Sequence, residues 1–146
     1  MIKKIVNRML SKNKPEYKSH LATPASPYDS LGEDGVRRLA NHFYDVMETD
    51  EKVKPLLDIH PLPLDAIRQK FFEFLSGWTG GPNLFVEKYG HPRLRARHLP
   101  FAVNQELKEQ WMYCMNKALD QEVDNPVVRE QLRSSFNQLA NHMVNC

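Results

Sequence analysis

Histidine is the side chain of this sequence best suited to hold a metal ion or a metal cofactor, and the chain has six of them. Four lie in settings that favour solvated or structural roles: a basic terminal segment, the polar edge of a helix, a turn before proline, and the last turn before the C-terminus. Two remain as candidate ligands, His98 and His60. The four set aside are His20, His42, His91 and His142.

His98 lies in residues 80–101, a segment rich in glycine, proline and arginine between stretches with helical periodicity. Long irregular segments between helices are often functional. The Gly-Gly-Pro run at its start predicts the end of the preceding helix. Between Pro92 and Pro100 there is room for roughly two helical turns of about 3.6 residues each. The sequence therefore predicts a short helix that directs the His98 imidazole inward.

The surroundings of His98 suit a haem better than a zinc ion. Leu94 lies one helical turn before it, Phe101 follows it, and three arginines alternate through residues 93–97. A haem needs one neutral imidazole, apolar contacts and cations near its two propionates. A structural zinc site needs three or four grouped ligands, which the sequence does not group. Taken alone, His98 could also be a structural histidine.

Helices are the elements that must position these residues. Apolar residues recur at helical spacing over about residues 33–47, 64–78 and 105–119, and in a last helix that begins at Asn125. A shorter helical segment follows Asp50, and no stretch shows sustained strand alternation. The prediction is an all-α domain with more flat apolar surface than its helices need in order to pack against one another. That surface comes from Phe71, Phe74, Trp78, Phe101 and Trp111.

Charge divides the chain into a basic N-terminal extension and linker, residues 1–26, and one domain, residues 27–146. Six Lys or Arg residues against one Glu give residues 1–22 a charge of +5, so the rest carries −3 of the overall +2. A mildly acidic body disfavours nucleic acid as a partner. The extension could contact a membrane surface, but we expect it to have no catalytic role. The two cysteines are too few for a disulfide framework and favour a reducing, cytoplasmic location.

Several motifs, in order and spacing, closely resemble group II truncated haemoglobins, the 2-on-2 globins. The resemblance covers roughly residues 27–144 and implies a haem b between two antiparallel helix pairs, with the iron held by His98. It also implies further contacts to the cofactor from Phe71, Phe74, Leu75, Tyr89, Leu94, Arg97 and Phe101. The motifs are Phe43-Tyr44, Trp78-Thr79-Gly80-Gly81-Pro82, Gly90-His91-Pro92-Arg93-Leu94-Arg95-Ala96-Arg97-His98-Leu99-Pro100-Phe101, and Trp111.

The same resemblance assigns Tyr44 and Trp111 to the ligand-binding face of the haem. A phenol O–H and an indole N–H in a dry pocket stabilise the partial negative charge on bound dioxygen. Each residue considered alone could be an ordinary core aromatic. A third polar position falls on Leu57 by direct count, or on His60 if the loop is about three residues longer, and we favour His60. Tyr44 or His60 could also bind the iron as an internal sixth ligand.

These features predict a haem protein that binds O2, NO, CO or peroxide and removes nitric oxide, peroxide or peroxynitrite. Such turnover needs electrons, and the chain has no flavin or nicotinamide motif, so a separate reductase is expected. The alternatives are a non-enzymatic oxygen carrier or a gas or redox sensor. A four-helix adaptor without a cofactor is the remaining possibility.

Overall fold

The structure is a computed structural model that describes residues 26–98 and 101–146. Those residues form helices and connecting turns without a β-strand, as the sequence predicts. The extension is outside the described residues except for Ser26. The helices are α1 (Pro27–Thr49), a 3-10 turn (Glu51–Val53), α2 (Lys54–Asp58), α3 (Asp65–Trp78), α4 (Leu84–Tyr89), α5 (Leu94–His98), α6 (Gln105–Glu122) and α7 (Pro126–Met143).

The resemblance implies one pair formed by the helices from about Glu33 and Leu64 and another formed by those from Gln105 and Asn125, and both pairs are in contact, as α1 with α3 and α6 with α7. The helix α1 packs mainly on α3 and α6, and α6 also packs on α7. Residues at helical spacing on each long helix meet in one continuous core, because each helix has a single apolar stripe to bury. Its largest fully buried side chains include Phe43 on α1, Leu75 on α3, Met115 on α6 and Phe136 on α7. No helix among the described residues is long and apolar enough to cross a membrane.

The first turn of α1 rests on the end of α3. Ser26 forms a reciprocal capping box with Asp29, and Pro27 occupies a first-turn position that needs no N–H donor. Gly32, with a φ of 69°, kinks α1 where the sequence predicts a short turn before a helix from Glu33. The structure therefore joins the two predicted segments into one bent element.

The Gly-Gly-Pro run ends α3 and makes room for α1. Gly80 has a φ of 105°, which favours glycine. A Cβ on Gly81 would overlap the ring of Tyr28, whose backbone N–H donates to the Thr79 carbonyl at 2.9 Å. The motif therefore has a structural function as well as marking a helix end.

Helix α4 differs from the sequence prediction, which leaves its residues irregular. It spans six residues, too few to show a periodic pattern. Tertiary contacts fix it: Phe85 is buried, with its ring 6.3 Å from Phe74 and 4.7 Å from Tyr89. Helix α5, in contrast, lies where the sequence predicts a short helix ending near His98.

Candidate functional site

His98 is the last residue of α5 and has a defined tautomer. Its Nδ1 lies 2.7 Å from the carbonyl oxygen of Leu94, one turn back. A carbonyl only accepts hydrogen bonds, so Nδ1 is the donor, and in the neutral imidazole Nε2 carries the lone pair. A histidine ligand is commonly fixed in this way, by a hydrogen bond from its second nitrogen. His98 is therefore a chemically competent single ligand.

Asn145, near the C-terminus, holds the segment that follows His98. Its Nδ2 donates to the carbonyl oxygens of His98 at 3.3 Å and Phe101 at 3.0 Å. Its Oδ1 accepts from the Val103 N–H at 2.9 Å, and its own N–H donates to the Val103 carbonyl. Sequence reasoning missed this residue, because an asparagine 47 positions away carries no local signal.

Tyr44, His60, Phe71 and Trp111 come together from four separate segments. The Tyr44 ring lies 6.2 Å from His60 and 5.6 Å from Phe71, and Phe71 lies 6.4 Å from Trp111. Phe43 lies between them, 4.9 Å from Tyr44 and 5.1 Å from Trp111. The structure thus groups the three polar residues that the sequence singles out beside a shared aromatic wall. We call these four residues and Phe43 the aromatic pocket.

Tyr44 keeps its hydroxyl proton in this setting. The side chain is only 4% exposed. Burial raises the pKa of the phenol far above its ordinary value, and the positive charge of Arg68 offsets part of that rise. The Arg68 guanidinium lies 5.9 Å from the Tyr44 ring and is held by Asp45 and Glu48. Tyr44 is therefore a neutral hydrogen-bond donor.

The Nε2 atom of His60 is a hydrogen-bond acceptor, whereas the Tyr44 hydroxyl is a donor. The Nδ1 atom of His60 lies 2.8 Å from the Leu56 carbonyl oxygen, so Nδ1 is the donor and Nε2 is unprotonated. Burial lowers the pKa of His60, and the bond to the Leu56 carbonyl partly opposes this. Leu57, the alternative by direct count, is partly buried against the core.

The predicted cofactor contacts on α3 have different environments. Phe71 and Phe74 are partly buried and stack 6.5 Å apart, so their faces extend the aromatic pocket. Leu75 is fully buried in the protein core. The i, i+3, i+4 spacing of these residues puts them along one side of the helix.

The predicted contacts on α4, α5 and the loop beyond form a more exposed edge. Tyr89 is 39% and Phe101 43% exposed. Leu94 is partly buried, and the Arg97 guanidinium lies 5.2 Å over the Phe85 ring. Arg97 and Arg93 provide positive charge next to His98, and Leu99 and Pro100 of the same motif are outside the described residues.

A buried carboxylate that sequence reasoning missed links α3 to α4. Glu73 is 1% exposed, pairs with Lys88, and accepts a hydrogen bond from the Gln69 amide at 3.0 Å. Burial alone would raise its pKa, but hydrogen bonds from Lys88, Gln69 and Tyr89 outweigh this and lower it. Its Oε1 has no hydrogen-bond partner among the described residues. The pair fixes α4, which leads to the His98 segment.

Known proteins are similar to this chain over most of its length. A family model described as bacterial-like globin matches residues 26–145. Group 2 truncated haemoglobin YjbI of Bacillus subtilis (strain 168) is 38% identical over 120 residues, which are 82% of this chain and 89% of that protein.

Solved structures give the same result. The cold-adapted truncated haemoglobin from the Antarctic marine bacterium Pseudoalteromonas haloplanktis TAC125 has a TM-score of 0.82 at 66% identity, covering 83% of this chain and 98% of that one. The truncated oxygen-avid haemoglobin from Bacillus subtilis has a TM-score of 0.75 at 38% identity, with 82% and 99% covered.

Proposed function

Because this chain belongs to the bacterial-like globin family and is a group II truncated haemoglobin, we propose that it holds O2 tightly and turns over small reactive molecules. As a globin with the 2-on-2 fold it binds haem and small gas ligands such as O2. The tightness of binding and the reaction are our proposals. The sequence similarity to a structure described as oxygen-avid supports the first of them.

The residues present fit a haem. Nε2 of His98 is free to bind iron because Nδ1 is committed to Leu94. The flat faces of Phe71 and Phe74 suit a porphyrin, and Arg97 supplies a cation for a propionate. The haem, when bound, supplies a redox-active iron with a position for O2, NO or peroxide. All other contributions to ligand binding come from the side chains of the protein.

The observation that carries the proposal is the position of Tyr44 and Trp111 in the aromatic pocket. Both can donate a hydrogen bond, and Tyr44 is nearly inaccessible to solvent and stays protonated. Donors fixed in a water-poor site need no reorganisation to stabilise the partial negative charge of bound O2. Two such donors slow the release of O2. Slow release suits chemistry on the bound gas better than delivery of it.

His60 has a different role in this proposal from the two donors. Its free Nε2 carries a lone pair, so it accepts a hydrogen bond or binds a metal rather than donating to O2. Of the two internal sixth ligands considered from the sequence, the neutral His60 imidazole is chemically better prepared than the protonated Tyr44 phenol. This supports a second proposal, reversible binding of His60 to the iron in the absence of an external ligand.

The proposed reactions are conversion of nitric oxide to nitrate and reduction of peroxide or peroxynitrite, with electrons from a separate reductase. Stopped-flow mixing of the oxygenated protein with nitric oxide, in the presence of a reductant, tests this. Repeated cycles of the oxygenated spectrum are expected. A single oxidation event without recovery would instead indicate a carrier or a sensor.

A further inference from the structure

Two rows of aromatic rings run from the aromatic pocket to one partly exposed indole, Trp78. In the first, Trp111 lies 5.9 Å from Phe136, and Phe136 stacks on Trp78 at 4.4 Å. In the second, Phe71 lies 6.5 Å from Phe74, and Phe74 lies 6.3 Å from Trp78. The rows start at two neighbouring rings of the pocket, Trp111 and Phe71, whose centroids lie 6.4 Å apart, and meet again at Trp78. Both rows of rings therefore end at Trp78.

Trp78 also forms a wall of an open surface groove of about 630 Å³, between the start of α1 and α7. A groove of this volume accommodates a small organic molecule. Its described lining carries no charged side chain. It combines an indole face and two other apolar residues with an amide and two hydroxyl groups: Pro27, Trp78, Gln131, Leu132, Ser134 and Ser135.

We propose that this groove binds uncharged phenols and that Trp78 oxidises them by one electron, using oxidising equivalents produced at the haem. The indole face suits an aromatic ring, and Gln131, Ser134 and Ser135 suit its hydroxyl group. This inference rests on the proposed peroxide reaction. It extends that reaction to organic electron donors that bind outside the aromatic pocket.

The electrons and atoms balance with hydrogen peroxide as the oxidant. One peroxide takes up two electrons and two protons and becomes two waters. Each phenol gives up one electron and one proton and becomes a phenoxyl radical, so two phenols are consumed for each peroxide. Trp78 loses an electron towards the pocket and regains one from the phenol, so the indole is unchanged after each transfer.

Tryptophan is the residue type in these rows that is best suited to hold the positive charge left when an electron is lost. Trp78 and Trp111 lose an electron more readily than the phenylalanines between them, and Phe136 keeps the two indoles only two ring contacts apart. Phe136 is fully buried, so this connection is fixed by core packing. Trp78 is the member of this row that lines the groove.

Radical trapping on the haem-loaded full chain tests the proposal by locating the radical rather than by measuring turnover. The protein is treated with hydrogen peroxide and a nitroso spin trap, digested, and mapped by mass spectrometry. We expect an adduct on Trp78 that disappears in Trp78→Phe. Tyr113→Phe is the matched control, because Tyr113 is a partly buried α6 residue bonded to Asp50, and its replacement should leave the Trp78 adduct in place.

A groove variant tests the phenol site separately. Added guaiacol, an uncharged phenol, should suppress the Trp78 adduct in the native protein, and Ser135→Leu should keep the adduct but lose its suppression. Adducts only on other residues, no adduct at all, or equal suppression in Ser135→Leu would each overturn the proposal. The response of the haem spectrum to peroxide and the O2 dissociation rate, both measured on the native protein, distinguish this failure from a failure of the proposed peroxide reaction or of O2 retention by Tyr44 and Trp111.

Discussion

Replacing Tyr44 with phenylalanine removes one hydroxyl group and little else. The Tyr44 ring packs 4.9 Å from Phe43 and 5.6 Å from Phe71, and the substituted phenyl ring keeps both contacts. The side chain is 4% exposed, so water cannot easily take the place of the missing donor. A hydrogen bond to a charged group contributes about 1.5–3 kcal/mol. The O2 dissociation rate should therefore rise roughly 10- to 100-fold, at about 1.4 kcal/mol for each factor of ten.

The assay is stopped-flow replacement of bound O2 by excess carbon monoxide, followed by the change in haem absorbance. Trp111→Phe should also speed dissociation, since it removes the indole N–H on the other side of Phe71. Tyr113→Phe is the control, because the Tyr113 hydroxyl donates to Asp50 at 2.6 Å. Native dissociation rates in both Tyr44→Phe and Trp111→Phe would refute the role assigned to the pocket donors.

Four further substitutions test other parts of the site. His98→Ala should lose haem on purification, seen as loss of the Soret absorbance, and retained pigment with native gas affinity would rule out His98 as the ligand. His60→Leu should convert a low-spin ferric spectrum without added ligand to a high-spin one, whereas an unchanged spectrum argues against His60 as a sixth ligand. Asn145→Leu should lower the free energy of unfolding by about 1–3 kcal/mol, because it removes hydrogen bonds to partly buried backbone groups of His98 and Val103, as measured in urea against the exposed control Asn137→Ala. Because the folded pKa of Glu73 is lowered, its stabilising effect is present above the unfolded pKa and is lost as the pH falls through the folded value. Glu73→Gln should therefore lose less thermal stability than the native chain on acidification, and parallel melting curves would contradict this.

The sequence by itself determined the helical class and predicted the main candidate site residues. Hydrophobic periodicity and helix-ending residues such as Gly and Pro are local properties of the sequence. The ends of the long helices and the short helix before His98 therefore follow from nearby residues. The motif around His98, together with Tyr44 and Trp111, was specific enough to indicate the globin family. The roles of these residues and the boundary at residue 26 stay predictions.

Tertiary structure decided what depends on residues far apart in the chain. Helix α4 forms because Phe85 packs on Phe74, and Glu73 is buried because Lys88 reaches it from that helix. The contact between Asn145 and the His98 segment spans 47 positions. The tautomer of His60 and its place beside Tyr44 depend on how the loop packs. A linear pattern records which face of a helix is apolar, but only the packed chain sets which distant groups share a hydrogen bond.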